Sequence, residues 1–394
     1  MSTEAFITPD VLRWALERRG LPDEEVARRV SVKPERVRSW KDGSGQPTLR
    51  QAQALAQKLS VPLGYLFLSE RPSDEFPLPD LRTVGDAPPG TPSPELVAVV
   101  YDALSKQQWY REYLESQGEA PLEFVGSRSV DDDPDDVARD IRTRLGVNDA
   151  MRQATGSWEE FLTRFVRAAE AAGILVLRSG IVEANTQRPL DVDEFRGFAI
   201  SDDLAPLVFI NGRDAKAAQI FTLAHEIAHL WLGESGVSNP DYRASANEQG
   251  NRVERVCNRI AAETLLPAEE VLRQWRGADS PAANSRHLAA RHRVSRMVAL
   301  RRAYDLNLIS RDTFWGAYDG FAAEWKAQRA RPDGSGGDFY RTLLSRNSPT
   351  FTTALIGSVA EGQSLHRDAA RLLNVKAARL DGVAERLLGS TTRA

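Results

Sequence analysis

The sequence predicts a predominantly helical α+β protein, with a bundle of short helices first, a central domain holding a small sheet and an apolar helix, and a helical module last. Three observations predict it. Apolar residues recur at helical spacing through most of the 394 residues, three short β-rich runs cluster between residues 174 and 210, and a proline-rich stretch follows the first 69 residues. Hydrophobic residues make up 42% of the chain, enough for two or three cores. The net charge of -4 implies neither nucleic acid nor a membrane as an overall partner. A single cysteine, Cys257, excludes an intramolecular disulfide framework and suits a reducing cytoplasm. The first ten residues lack a basic region followed by an apolar run, and no stretch approaches a membrane span.

In chain order, residues 1–69 hold five short helical patterns: Pro9 to Arg19, Asp23 to Val30, Pro34 to Trp40, Thr48 to Leu59 and Pro62 to Phe67. The third carries a local positive excess in Lys33, Arg36, Arg38 and Lys41. Residues 70–94, with Arg71-Pro-Ser-Asp-Glu-Phe-Pro-Leu-Pro-Asp80, read as a linker or an extended strap over the next domain. Residues 95–279 form the central domain, opening with a long amphipathic helix from Leu96. The acidic run Asp131 to Asp136 reads as a helix start near Pro134, because carboxylates favour the positive end of a helix and the spacing lacks a calcium loop's glycine and distal glutamate. Ser157-Trp-Glu-Glu160 is a capping box whose helix closes at Gly173. Strands follow at Ile174 to Arg178, Arg196 to Ile200 and Leu207 to Ile210, and an exposed edge of such a sheet can align an extended peptide. Residues 280–394 are helical again, including a basic, helix-turn-helix-like stretch from Leu288 to Arg302 whose charges read as the solvated face of a packed helix. Arg331 to Gly337 reads as a flexible loop, and further helical sections begin at Ser348 and Asp368. His287 and His292 lack a third partner and suggest no second metal site.

The chemistry concentrates in Phe221-Thr-Leu-Ala-His-Glu-Ile-Ala-His-Leu-Trp-Leu-Gly233. His225 and His229 stand four apart, so a helix projects both imidazoles from one face, where they can share one tetrahedral ion. Glu226, beside the first, is the candidate general base of an H-E-x-x-H site and can take a proton from a water that zinc has brought to a pKa of about 7. Asp214 suits the N-cap region of this helix, running from Ala215 to Leu232, and Gly233 its C-cap. Glu234, Asp241, Glu248, Glu254, Cys257 and Glu263 are the downstream candidates for a third ligand. Arg252 to Leu266 reads as a second helix stopped by Pro267, with Glu254 sharing a face with Cys257 and Asn258 while Glu263 points away. Cys257 reads as a buried apolar residue.

The two segments, Phe221 to His229 and Glu254-Arg-Val-Cys-Asn-Arg-Ile-Ala-Ala-Glu-Thr-Leu-Leu-Pro267, resemble the signature segments of the ImmA/IrrE family of metallopeptidases. That resemblance implies a zincin-like peptidase domain, zinc as the cofactor, Glu254 as the third ligand ahead of Asn258, and a protein substrate, typically a repressor that itself carries a helix-turn-helix and controls stress or mobile-element genes. Ala27, Val32, Val37, Trp40, Gly43, Pro47, Leu55, Ala56 and Leu66 resemble the framework of the XRE (Cro/repressor-like) helix-turn-helix domain. By that likeness Lys33, Arg36, Arg38 and Lys41 would approach DNA, while Asp23, Glu24 and Glu25 stand where phosphates would lie, so DNA and a protein partner both remain open. Tyr242 and Arg243 follow the zinc helix, but only proximity in sequence links them to an oxyanion, and the sequence assigns no oxyanion-stabilising group. The expectation is a cytoplasmic zinc endopeptidase. A non-catalytic antitoxin or transcription factor with a structural zinc site is the rival, against which an intact Glu226 argues.

Overall fold

The computed structural model describes residues 4–19, 21–59, 61, 63–71, 76–80, 91–239, 252–329 and 338–391. Arg331 to Gly337, Asp241, Tyr242, Arg243 and Glu248 lie outside the described residues. The chain divides into two compact units, Met1–Pro77 with Thr91–Ala98, and Leu78–Gly90 with Val99–Ala394. The helices are α1 (Pro9–Arg19), α2 (Asp23–Arg29), α3 (Pro34–Asp42), α4 (Leu49–Leu59), α5 (Pro94–Gln117), α6 (Pro134–Leu145), α7 (Asp149–Gln153), α8 (Trp158–Ala171), α9 (Lys216–Leu232) and α10 (Arg252–Leu265). They continue as α11 (Ala268–Gln274), α12 (Pro281–His292), α13 (Arg296–Asp305), α14 (Arg311–Arg329), α15 (Phe339–Asn347), α16 (Pro349–Ala360), α17 (His366–Leu372) and α18 (Leu380–Thr391). The predominantly helical α+β class is as the sequence predicts.

In the first unit, Leu12, Val26, Val37, Trp40, Leu55, Leu59 and Leu66 close one apolar core, each buried because its helix turns one stripe inward. Pro34 opens α3, where its missing N–H leaves no intrahelical bond unmade, and Gly43 ends it at φ +82°. The fifth expected helix is a 3₁₀ turn, Leu63–Phe67, too short to complete an α-helical ladder.

The second unit is built around a mixed four-stranded sheet in the order β1 (Leu175–Ser179), β3 (Leu207–Asn211), β2 (Gly197–Ile200), β4 (Gly236–Ser238). β1 and β3 run parallel, and β2 is antiparallel to both β3 and β4. β4 is the strand the sequence did not predict, since three residues are too few to show alternation. Its Val237 donates a backbone N–H to Pro79 O (3.0 Å) and pairs with Asp80, so the proline-rich stretch straps this edge with Leu78 buried behind it. At the opposite edge α15 packs on β1, with Arg178 Nε donating to Ser345 Oγ at 3.0 Å. The exposed edge expected from sequence is therefore covered at both sides by the chain itself.

Beneath the sheet, α8 and α9 fill the core through Phe161, Phe165, Ile220, Leu223, Ile227 and Trp231. Ser157 caps α8 as expected, with Glu160 reaching back to the Gly156 N–H at 2.6 Å. Asp133 caps α6. Against expectation, the N-cap of α9 is Ala215, while Asp214 accepts from the Ala215 N–H and lies 3.7 Å from Arg196. The α12–α13 pair turns through Arg293 at φ +57° and buries Leu288, Val294, Val298 and Ala299 in the same core as α9. Much of its basic charge is held internally: Arg293 donates to Thr155 O (2.5 Å) and Arg302 pairs with Glu263.

His292 is fully buried beside Gln274, 3.2 Å away, and its pKa is pushed down to about 4, first by burial and then by the charge of Arg152. A depressed histidine contributes stability that is complete above its ordinary value of 6.5 and is lost as pH falls towards 4. We expect the unfolding free energy to drop between pH 6.5 and 4, with about 2 kcal/mol of that loss absent in His292→Gln. Parallel denaturant titrations of the two proteins across that range check it; identical pH slopes would contradict the assignment.

Candidate metal centre

Helix α9 places the first two metal-capable side chains. Its residues from Gln219 to Leu232 are all buried, so the helix runs through the core rather than along it, and any polar group it carries must find a partner there. The C-terminal end is fixed by close backbone approach: Gly126 and Arg128 donate N–H groups to Leu230 O (2.9 Å) and Trp231 O (3.0 Å). Gly233 then turns at φ +73°, where a side chain would be strained and would meet the Gly126 Cα at 3.1 Å. Trp231 stacks on Phe124 (ring centroids 4.3 Å) and donates its indole N–H to Asp140 at 3.0 Å. The rotation of α9 about its axis is thereby set, and with it the direction of His225 and His229.

Helix α10 packs directly on α9 and brings Glu254 against the two imidazoles. His225 Nε2 lies 3.2 Å from Glu254 Oε2, His229 Nε2 lies 3.2 Å from Glu254 Oε1, and the two Nε2 atoms are 3.1 Å apart. All three residues are buried. Burial raises the Glu254 pKa, but the His225 charge and hydrogen bonds from both histidines outweigh it and hold the carboxyl well below its ordinary range. Burial lowers the pKa of His229, which favours the neutral imidazole that a metal requires.

The group fits a tetrahedral metal ion. Donors bound to one zinc at about 2.0–2.1 Å stand roughly 3.3 Å apart, close to the three separations here. Two imidazole nitrogens and a carboxylate are also a donor set zinc accepts, and among the described residues this is the one His/Cys/Asp/Glu group so arranged. The other candidates are engaged or turned elsewhere. Glu263 pairs with Arg302 and accepts from the Ala268 N–H (3.1 Å), Glu234 is exposed, and burial with three nearby carboxylates keeps the Cys257 thiol protonated.

Glu226 stands beside this group with both oxygens buried and, among the described residues, without a hydrogen-bond partner. Burial, and then the charge of Glu254, push its pKa well above the ordinary carboxylate value. Its space exists because β2 carries a glycine: a Cβ on Gly197 would lie 2.7 Å from Glu226 Oε1, 2.6 Å from Thr222 Cγ2 and 2.9 Å from Phe209 O. Opposite Gly197 across the β2–β4 pair is Ser238, whose hydroxyl donates to Glu254 Oε1 (3.2 Å) and lies 3.4 Å from His229 Nε2. Sequence reading missed both residues. Gly197 lay inside a predicted strand, where an isolated glycine is a signal of close backbone approach. Ser238 had no signal at all.

The basic residues of α3 are placed in the other unit. Lys33, Arg36 and Arg38 are exposed and Lys41 half-buried, but Arg38 pairs with Glu24 (2.7 Å) and Lys41 with Asp23 (2.8 Å). The acidic start of α2 therefore neutralises half of the cationic set that the sequence singles out.

Because the Phe209 carbonyl cannot move without breaking the sheet, Gly197→Ala is expected to overpack this contact and cost about 1–3 kcal/mol. A shift of the urea midpoint at unchanged slope checks it, and an unchanged midpoint would show that Glu226 has room to spare.

Comparison with known families agrees with this arrangement. Residues 169–304 match the peptidase M78 family model, described as an IrrE N-terminal-like domain; residues 12–66 match a helix-turn-helix model, and residues 347–386 match a domain of unknown function. No curated protein and no solved structure matches the chain. No helix among the described residues is long and apolar enough to cross a membrane. The stretch from β1 to α13 that carries His225, Glu226, His229 and Glu254 thus coincides with the peptidase match, and the two matches together correspond to an N-terminal helix-turn-helix domain followed by an ImmA/IrrE-type peptidase domain.

Proposed function

We propose that this chain is a zinc-dependent endopeptidase that cuts a regulatory protein, a helix-turn-helix repressor by the family likeness, and so releases a stress or mobile-element response. The observation that carries the reading is Glu226, a carboxylate kept buried and unpaired beside a metal-capable group. A structural metal site has no use for such a group, and a buried carboxylate without a partner is costly. His225, His229 and Glu254 would hold the ion. Zinc bound there supplies Lewis acidity, polarising the scissile carbonyl and easing deprotonation of water. The chain's own part is to hold and move the proton: Glu226, its pKa raised by burial and by the charge of Glu254, takes it from the attacking water and gives it to the departing amine. Ser238 steadies the Glu254 carboxylate, and Gly197 keeps β2 clear of Glu226. An extended substrate paired to β4 would take the place of Pro79 and Asp80 on Val237.

The N-terminal domain supports a regulatory role, with Lys33 and Arg36 on its exposed surface as the candidates for phosphate contact. The internal pairing of Arg38 and Lys41 favours a protein partner as the second reading of this domain.

Glu226→Gln preserves the shape of the site and removes the base. With zinc-loaded protein added to host extract, new protein N-termini are expected with the wild type and at least about 100-fold fewer with Glu226→Gln, at equal zinc content. Undiminished cleavage by the variant would sink the mechanism.

A further inference from the structure

Helix α10 turns a second face, roughly a quarter-turn from Glu254, towards a partly open cleft of about 400 Å³ whose far wall is α13. Arg255 and Arg259 of α10 face Arg301 and Arg302 of α13 across it, against two lining carboxylates, Asp135 and Asp305. Arg302 pairs with Glu263, which lies outside the cleft, and Arg301 pairs with Asp305 at 2.8 Å. Arg259 is exposed and reaches Asp135 only at 3.7 Å, beyond hydrogen-bond range. The crowding of cations registers at Arg302, held below the ordinary guanidinium range by burial and, against the pull of Asp135 and Asp305, by Arg259 and Arg142.

This cleft adjoins the metal-capable group. Phe221, one turn before His225 and 6.4 Å from it between ring centroids, lines the cleft, and so does Asn258, one turn after Glu254. Between the guanidinium groups the walls are apolar, with Phe221, Val298 and Leu306. A positive rim over an apolar wall suits a carboxylate carried on a short methylene stem better than a bare inorganic anion, which would leave the apolar wall uncovered.

We propose that the α10–α13 cleft is a substrate subsite that accepts an acidic side chain of the polypeptide, with Arg259 as its principal specificity-determining residue. The proposal rests on the peptidase reading of the neighbouring site. Arg259 presents a planar fork that a carboxylate can engage with two parallel hydrogen bonds, and its exposure leaves it free to swing onto the ligand.

The test separates binding from cleavage. Full-length, zinc-loaded Glu226→Gln protein is titrated by fluorescence anisotropy into two labelled decapeptide pools, identical except that every Glu of one is Gln in the other. The Glu pool is expected to bind about tenfold more tightly, the preference to vanish in Arg259→Glu, and only part of it to survive in Arg259→Lys, whose ammonium keeps the charge without the fork. Equal binding of the pools, binding of neither, or a preference untouched by Arg259→Glu would overturn the subsite. Cleavage of both pools by the protein with Glu226 intact is followed in parallel. Equal binding with efficient cleavage sinks the subsite alone. An acid preference that responds to Arg259→Glu, with no cleavage of either pool, supports the anion-accepting cleft and sinks the peptidase reading instead.

Discussion

Two imidazoles and two carboxylates lie together in the core at His225, His229, Glu254 and Glu226, and their demand for a cation is the constraint the second unit is built to meet. Buried charges without partners are expensive, and protons alone serve this group poorly: a proton shared between the imidazoles or with Glu254 still leaves Glu226 without a hydrogen bond. A divalent ion satisfies three donors at once, and its charge is the natural counterweight to the fourth. The rest of the packing fixes where those atoms stand. The Gly126–Gly233 approach and the Phe124–Trp231 stack set α9, Ser238 on β4 reaches Glu254, and Gly197 lets β2 come within contact of Glu226 without displacing it.

That arrangement also explains why the sheet is short and closed at both sides. β4 needs only three residues to deliver Ser238, and its outward N–H at Val237 is bonded to Pro79, so the backbone of an otherwise frayed edge is satisfied by the strap. A peptide that uses this edge must compete with a pairing already made. The helix-turn-helix domain shows a comparable economy in its charges, since Asp23 and Glu24 at the start of α2 are ion-paired to Lys41 and Arg38 of α3. Such surface pairs are each worth about 0–1 kcal/mol and are easily exchanged, so they temper the positive surface without abolishing it.

The parts of this molecule legible in the sequence are those fixed by local spacing. The four-residue interval of His225 and His229, the glycine after Leu232, the capping serine at 157 and the proline after Leu266 each act within one or two helical turns, and each element stands where those signals put it. Residue spacing could place Glu254 on a plausible face of α10, but only the packing of α10 on α9 brings its carboxylate to 3.2 Å from both imidazoles. Ser238, Gly197 and the strap at Pro79 depend on pairing between strands distant in the chain, for which a three-residue strand offers no periodic signal. The N-cap of α9 fell one residue beyond Asp214 because that carboxylate faces Arg196 on the approach to β2 instead of the first turn. The basic run from Leu288 to Arg302 looked like a charged surface in one dimension; in three, part of it lines a cleft and part is tied down on Thr155 and Glu263.

The central claim is that His225, His229 and Glu254 together hold one zinc ion beside Glu226, and zinc X-ray absorption on the full-length protein tests it most directly. One zinc per chain with nitrogen and oxygen neighbours only, at about 2.0–2.2 Å and including two imidazoles, is the predicted result. A sulfur neighbour near 2.3 Å would place the ion on Cys257, and a spectrum without imidazole scattering would place it away from α9; either would contradict the account.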